Sequence, residues 1–244
     1  MYYEEYCKAR YVYQSSPLVD CDFYQDLYRI AMSRRFVLKG IEYMPFEKSS
    51  VWGAALERGL DILLSSLGIL VCAIPFLVIA IAIKLDSPGR VFYRQARVGK
   101  GGEVFQIIKF RTMSDNAERG TGPVWAAVKD PRLTHVGAFL RGMRLDELPN
   151  LFNILKGDMR LVGPRPERPE FVFWFIQYMS AFNRRHDVKP GLAGLAQLKN
   201  GYDTSAASVY RKLRWDVEYI KRKCLSLDLW IIYRTVFAVL RGKV

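Results

Sequence analysis

The longest uninterrupted hydrophobic stretch runs from Ile62 to Ile83, ILLSSLGILVCAIPFLVIAIAI, 22 residues without a charge. A helix needs about 20 apolar residues to cross the hydrocarbon core, so this run is long enough to enter a bilayer. Pro75 lies just past its middle, where the ring removes a hydrogen bond and bends a helix. Arg58 precedes the run, and Lys84, Arg90, Arg94 and Arg97 follow it. Basic residues on both flanks do not give the asymmetry expected of a spanning helix. Two arrangements meet the pattern: a hairpin that enters and leaves on one face, broken at Pro75, or a spanning helix that tolerates its proline.

Beyond the run the period changes. Leu85-Asp86-Ser87-Pro88-Gly89-Arg90 is a turn cluster, and VFYRQARVG and EVFQIIKFRTM are short β-rich runs joined by turn residues, which predicts a β-hairpin over 91–110. Its glycines lack the GxxxxGK[ST] spacing of a phosphate loop. Residues 114–133 read as a polar surface loop. Val136 to Arg144 predicts a helix with Val136, Phe139, Leu140 and Met143 on one stripe. Leu148, Leu151, Phe152 and Leu155 predict another, with Pro149 in its first turn and Gly157 as its stop. A glycine-rich loop, Lys189 to Gln197, precedes two further helical stretches, Ser208–Lys223 and Leu227–Leu240. The last is basic and aromatic, which suits either an interfacial helix or a packed terminal one.

The net charge of +13 matters mainly through its distribution. Residues 1–83 are nearly neutral, and the whole basic excess follows, shared between 84–165 and 166–244. That suits an anionic membrane face or a phosphorylated substrate. Nucleic acid would also suit the charge, but no nucleic-acid module accompanies it. Four scattered cysteines form no disulfide framework and point to a reducing compartment, and two histidines make a histidine-based zinc site improbable. The polar, aromatic start, MYYEEYCKAR, does not read as a signal peptide.

The candidate chemistry centres on Asp146 and Glu147, at the predicted start of the Leu148–Leu155 helix. An acidic pair there is ordinarily a helix cap. Here Arg141 and Arg144 lie just before it, and Gly163-Pro164-Arg165-Pro166 follows, with prolines that would stiffen the backbone around an arginine. Carboxylates among arginines beside a membrane segment point to a metal ion and a phosphorylated substrate.

Four segments in order carry a resemblance: ERGLDILLSS, KLDSPGRVFYRQARVGKGGEVFQIIKFRTM, LRGMRLDELPNLFNILKGDMRLVGPRP and KPGLAGLAQ. Residues from about 56 to 243 resemble the bacterial sugar transferases, the monotopic polyprenyl-phosphate phosphoglycosyl transferases. The resemblance implies an α-rich α+β fold: a re-entrant membrane helix hairpin broken at Pro75, a small β-hairpin, and a cytoplasmic catalytic helical domain with interfacial amphipathic helices. The division it implies is 1–55 as an extension, 56–85 as the re-entrant helix and 86–244 as the catalytic domain. Family members often carry serine before the proline. Ile74 stands there here, so the bend leans more on Pro75.

The resemblance further implies transfer of a sugar-1-phosphate from a UDP-sugar to polyprenyl (undecaprenyl) phosphate with Mg²⁺, on the cytoplasmic face of the bacterial inner membrane, among anionic phospholipids. Asp146 would be the nucleophile and Glu147 its catalytic partner, the two also serving as metal ligands. Arg141 and Arg165, with Lys109 and Arg111, match basic positions that hold substrate phosphate. Residues 1–55 lie outside the match and read as a helical extension, a homodimer contact, a regulatory piece or a packing tail.

Overall fold

The computed structural model describes residues 51–114, 117, 130–200 and 206–242. The expectations for residues 1–50, and for most of the polar loop over 114–133, fall outside the described residues. Helix α1 (Val51–Val71) and helix α2 (Ala73–Asp86) contain the apolar run and meet at a 59° bend. No single described helix is long and apolar enough to cross a membrane, but this bent pair is when taken together. The interruption falls at Cys72, and Pro75 is the third residue of α2. The proline still accounts for it, because its ring lacks a donor and crowds the carbonyl four residues back, that of Val71. The expected division at 55/56 falls inside α1, which begins at Val51.

The hairpin forms as expected. Strands β1 (Phe92–Val98) and β2 (Val104–Phe110) pair antiparallel, Phe92 opposite Phe110 and Val98 opposite Val104. Helix α3 (His135–Gly142) is capped by Thr134, whose hydroxyl accepts from the Gly137 backbone N–H at 3.0 Å. The predicted stripe is only half right. Leu140 is buried and Val136 packs beside it, while Phe139 and Met143 face outward. Helix α4 (Asn150–Lys156) ends at Gly157, which takes the left-handed conformation.

Several elements have no counterpart in the sequence reading. Strands β3 (Arg160–Val162) and β4 (Gly191–Ala193) form a parallel pair, which lays the Gly163–Pro166 segment against the glycine-rich loop. Helix α5 (Pro169–Tyr178) leads into a 3₁₀ stretch, Ser180–Asp187. The short helix α6 (Leu195–Asn200) is likewise new, whereas the long helices α7 (Ala206–Arg222) and α8 (Leu225–Leu240) are the two expected over Ser208–Lys223 and Leu227–Leu240.

The core is built in patches. Val98, Val172, Phe175, Phe182 and Leu213 join the hairpin to α5 and α7. Val162, Tyr219 and Ile231 join β3 to α7 and α8. Ile79, Ile83, Phe110 and Leu140 bind α2 to the hairpin and α3. The remaining face of α1 and α2 is apolar and exposed, with Leu63, Leu70, Ile74, Leu77 and Val78 outward, as are Leu229, Tyr233, Val236 and Leu240 on α8.

One charged hub ties the apolar helices to the rest. Arg160 of β3 pairs with Glu57 at 2.8 Å and Asp61 at 3.0 Å on α1, and with Asp228 at 3.1 Å on α8. Asp61 also accepts from the Leu161 N–H at 3.1 Å, and the Tyr219 hydroxyl donates to Asp228 at 2.8 Å. Pairing and hydrogen bonds of this kind offset the cost of burying charge.

Candidate active site

The site is assembled where α3, the start of α4, β2 and the loop after β3 converge. Arg144 has φ 58°, the only positive φ among the described non-glycine residues, and it turns the chain out of α3 into a 3₁₀ turn, Leu145–Glu147. Backbone held in that region costs free energy and recurs at functional sites. Asp146 and Glu147 lie in this turn, each 7% exposed. The cap position of α4 is Pro149, and no side chain caps it by a hydrogen bond. The helix-cap reading of the acidic pair is therefore not what the chain adopts.

The two carboxylates have opposite surroundings. Glu147 is saturated with cations. Lys109 Nζ donates to Oε1 at 3.0 Å, Arg165 Nη1 donates to Oε2 at 2.9 Å, and Arg165 Nη2 donates to Oε1. Arg144 Nη1 stands 3.7 Å from the same oxygen. Burial alone would raise the Glu147 carboxyl pKa, but Arg165 and Lys109 outweigh it and hold it well below the usual carboxylate range. Asp146 has no such pairing, and its Oδ1 is buried without a hydrogen-bond partner among the described residues. Burial pushes its pKa up; Lys109 opposes the shift and Glu147 adds to it. Burial also lowers the Lys109 ammonium, with Glu147 offsetting part of that shift.

Of the basic residues expected to hold phosphate, Lys109 and Arg165 converge on the acidic pair. Arg141, in the last turn of α3, lies close enough to Asp146 to lower its pKa, and its Nη1 is buried without a partner among the described residues. Arg111 is placed elsewhere. Its guanidinium donates to the carbonyls of Pro88 and Ser87 (2.7 Å for the latter) and to Ser87 Oγ at 3.0 Å, closing the C-terminal end of α2. The spacing of KFRTM would put Lys109 and Arg111 on one face of a continuous strand, but β2 ends at Phe110 and Arg111 lies beyond it.

The loop carrying Arg165 is fixed at each carbonyl. Gly191 N–H donates to Pro164 O at 3.0 Å, and Arg185 Nη2 to Arg165 O at 2.7 Å. Arg97 Nη1 donates to Pro166 O at 3.0 Å, and Val98 N–H to Glu167 O at 2.9 Å. Asn150 is a buried polar residue near the acidic pair in sequence that the sequence reading did not single out. It is 1% exposed, its Oδ1 has no partner among the described residues, and it lies one turn after the acidic pair. The unusual signal was a polar residue on the apolar helix directly after Pro149.

The residues present suit a divalent cation of one kind. No described group of three or more His, Cys, Asp or Glu forms a cage. Magnesium commonly binds one or two carboxylates and takes further ligands from substrate phosphates. Asp146 Oδ1 is available for that role, whereas both Glu147 oxygens are engaged by basic side chains.

The family model described as "Bacterial sugar transferase" matches residues 52–242. The UDP-N-acetylgalactosamine-undecaprenyl-phosphate N-acetylgalactosaminephosphotransferase of Aeromonas hydrophila is 43% identical over 189 residues, covering 78% of this chain and 44% of that protein. The UDP-glucose:undecaprenyl-phosphate glucose-1-phosphate transferase of Escherichia coli is 36% identical over 214 residues, covering 86% of this chain and 46% of that protein. The chain thus spans less than half the length of these two relatives. The exopolysaccharide production protein PSS of Rhizobium leguminosarum is 37% identical over 195 residues, which cover 97% of its length. With a match that spans both apolar helices, the acidic pair and the arginine loop, the chain belongs to the bacterial sugar transferase family.

Proposed function

We propose that this protein transfers a sugar-1-phosphate from a UDP-sugar to undecaprenyl phosphate, with Asp146 as the nucleophile. The observation that carries the reading is the contrast within the acidic pair. Glu147 is consumed in holding Lys109 and Arg165, while Asp146 keeps a carboxylate oxygen unengaged beside them. Relatives named for undecaprenyl-phosphate sugar phosphotransfer support the substrate pair.

An Asp146 oxygen attacks the phosphorus that bears the sugar. The bond to the bridging oxygen breaks, and its electron pair leaves with UMP. A phosphate oxygen of the lipid then attacks the same phosphorus, forming the polyprenyl-diphosphate-sugar and returning the Asp146 carboxylate. Arg165, Lys109 and Arg141 bring positive charge to the transferring group, where fixed donors are worth most in a water-poor site. Mg²⁺, held by Asp146 together with substrate phosphates, would neutralise diphosphate charge. Glu147 orients the basic groups that meet the substrate.

The same reading places α1 and α2 as a re-entrant element at the cytoplasmic face of the inner membrane. A symmetric V with a 59° bend and an arm of 14 residues dips only about 10 Å, roughly a third of the hydrocarbon core. Cysteines introduced near residues 50 and 95 should both be labelled from the cytoplasm alone. Labelling from opposite faces would replace the hairpin with a broken span.

The chemistry is tested by UMP release from a panel of UDP-sugars with Mg²⁺ and undecaprenyl phosphate. Without the lipid, the enzyme should release one equivalent of UMP and gain the mass of a sugar phosphate on the peptide containing Asp146. Asp146→Asn should lower turnover at least about a thousandfold, and full activity in that variant would refute the assigned nucleophile. The panel also identifies the sugar, since the relatives are named for both N-acetylgalactosamine and glucose.

A further inference from the structure

Behind the arginine loop lies a buried polar layer that touches neither carboxylate of the acidic pair. Arg185, in the Ser180–Asp187 stretch, is 3% exposed. Its Nε donates to Asp216 Oδ2 at 2.7 Å, its Nη2 donates to the Arg165 carbonyl at 2.7 Å, and its guanidinium lies 4.8 Å over the Phe182 ring. Asp216 belongs to α7, and one turn earlier on the same helix Lys212 pairs with Glu167. Glu167 is also 3.8 Å from Arg97, which donates to the Pro166 carbonyl. Helix α7 therefore presents an acid and a base one turn apart to a single short loop, the acid acting through Arg185.

We propose that Arg185, oriented by Asp216, is a positioning residue that sets where the Arg165 guanidinium stands. Such a pair is a poor choice for stability alone, because a buried ion pair replaced by apolar packing is often neutral or stabilising. Its outward end is specific, however: of the four loop carbonyls, the one it binds is that of Arg165 itself. A planar guanidinium can bond Asp216 and that carbonyl at once in fixed geometry, which a lysine cannot do with a single nitrogen. Displacement of a phosphate-binding group by about 1 Å can cost on the order of a hundredfold in rate.

The proposal rests on the transferase reading, and its test separates the two. In the full-length, detergent-solubilised protein, Arg185→Ala should lower kcat/KM for the UDP-sugar by about 10- to 100-fold. Arg185→Lys should recover part of the loss. Arg165→Ala combined with Arg185→Ala should be no slower than Arg165→Ala alone, since Arg185 acts through Arg165. Losses that multiply, or unchanged kcat/KM in Arg185→Ala, would overturn the proposal. If Arg185→Ala does not fold, Asp216→Asn takes its place with the same masking by Arg165→Ala expected. Amide exchange supplies a readout independent of turnover: the peptide over residues 160–168 should exchange faster in the Arg185 variant while the β1–β2 peptide does not change. Unaltered exchange there would sink the positioning role. Inactivity of the wild type with every UDP-sugar would instead refute the function and leave the exchange result to decide the positioning.

Discussion

At the scale of single residues, the site keeps polar atoms where stability alone would not. Burying Asp146 with its Oδ1 lacking a hydrogen-bond partner among the described residues costs stability, and the same burial raises its carboxyl pKa. Asp146→Asn should therefore raise the melting temperature at neutral pH while abolishing turnover, and a thermal melt beside the UMP assay checks both. Active sites commonly trade stability for function in this way. His186 makes a different prediction. Burial, with Arg185 beside it, depresses its pKa to about 4. The unfolded chain takes up its proton near pH 6.5, but the folded protein does not until near pH 4. Stability is then full above pH 6.5 and declines as pH falls toward 4, by up to about 3 kcal/mol from this residue. His186→Gln should flatten the decline, read as the difference between the two proteins in urea unfolding at several pH values. Asp146 was legible because an acidic pair among arginines is unusual, whereas its separation from Glu147 was not: only the fold brings Lys109 from β2 and Arg165 from beyond β3 onto one of two adjacent carboxylates.

Among the elements, local pattern located those with a strong period, and long-range pairing decided the rest. The hairpin and α4 were readable because turn residues and apolar spacing are local signals. The β3–β4 pair was not, because each strand has only three residues and its partner lies about thirty positions away. A trace of it survives in the glycines. Gly191 and Gly163 press backbone to backbone, so that a Cβ on Gly191 would collide with Gly163 N and Val162 C. Gly191→Ala should cost about 1–3 kcal/mol and, by shifting the Arg165 loop, lower turnover as well. Gly59→Ala on α1, where a Cβ meets nothing within 4 Å, is the control and should be neutral or slightly stabilising in thermal melts. The outward turn of Phe139 and Met143 has a similar origin, since the neighbours of α3 among the described residues cover a narrower stripe than its sequence offers.

For the whole molecule, the apolar helices and the part that carries the acidic pair are joined by charge as well as by apolar contact. Removing Arg160 would leave Glu57, Asp61 and Asp228 without their shared partner. Arg160→Leu should destabilise the protein by about 3–5 kcal/mol, seen as a lower melting temperature in detergent and faster proteolysis between α1 and β3. This hub also imposes an order on biosynthesis. Asp61 sits at the edge of the apolar run, and its partner Arg160 lies 99 residues later. At about 5–20 residues per second, Arg160 leaves the ribosome roughly 5–20 s after Asp61. During that interval Asp61 lacks this partner, and a carboxylate resists being drawn from the edge of the run toward the hydrocarbon centre, where it would cost about 2.5–3.5 kcal/mol. On the proposed re-entrant reading, the unpaired Asp61 keeps its end of the run at the membrane surface until Arg160 arrives, so the timetable of synthesis would itself favour a shallow entry.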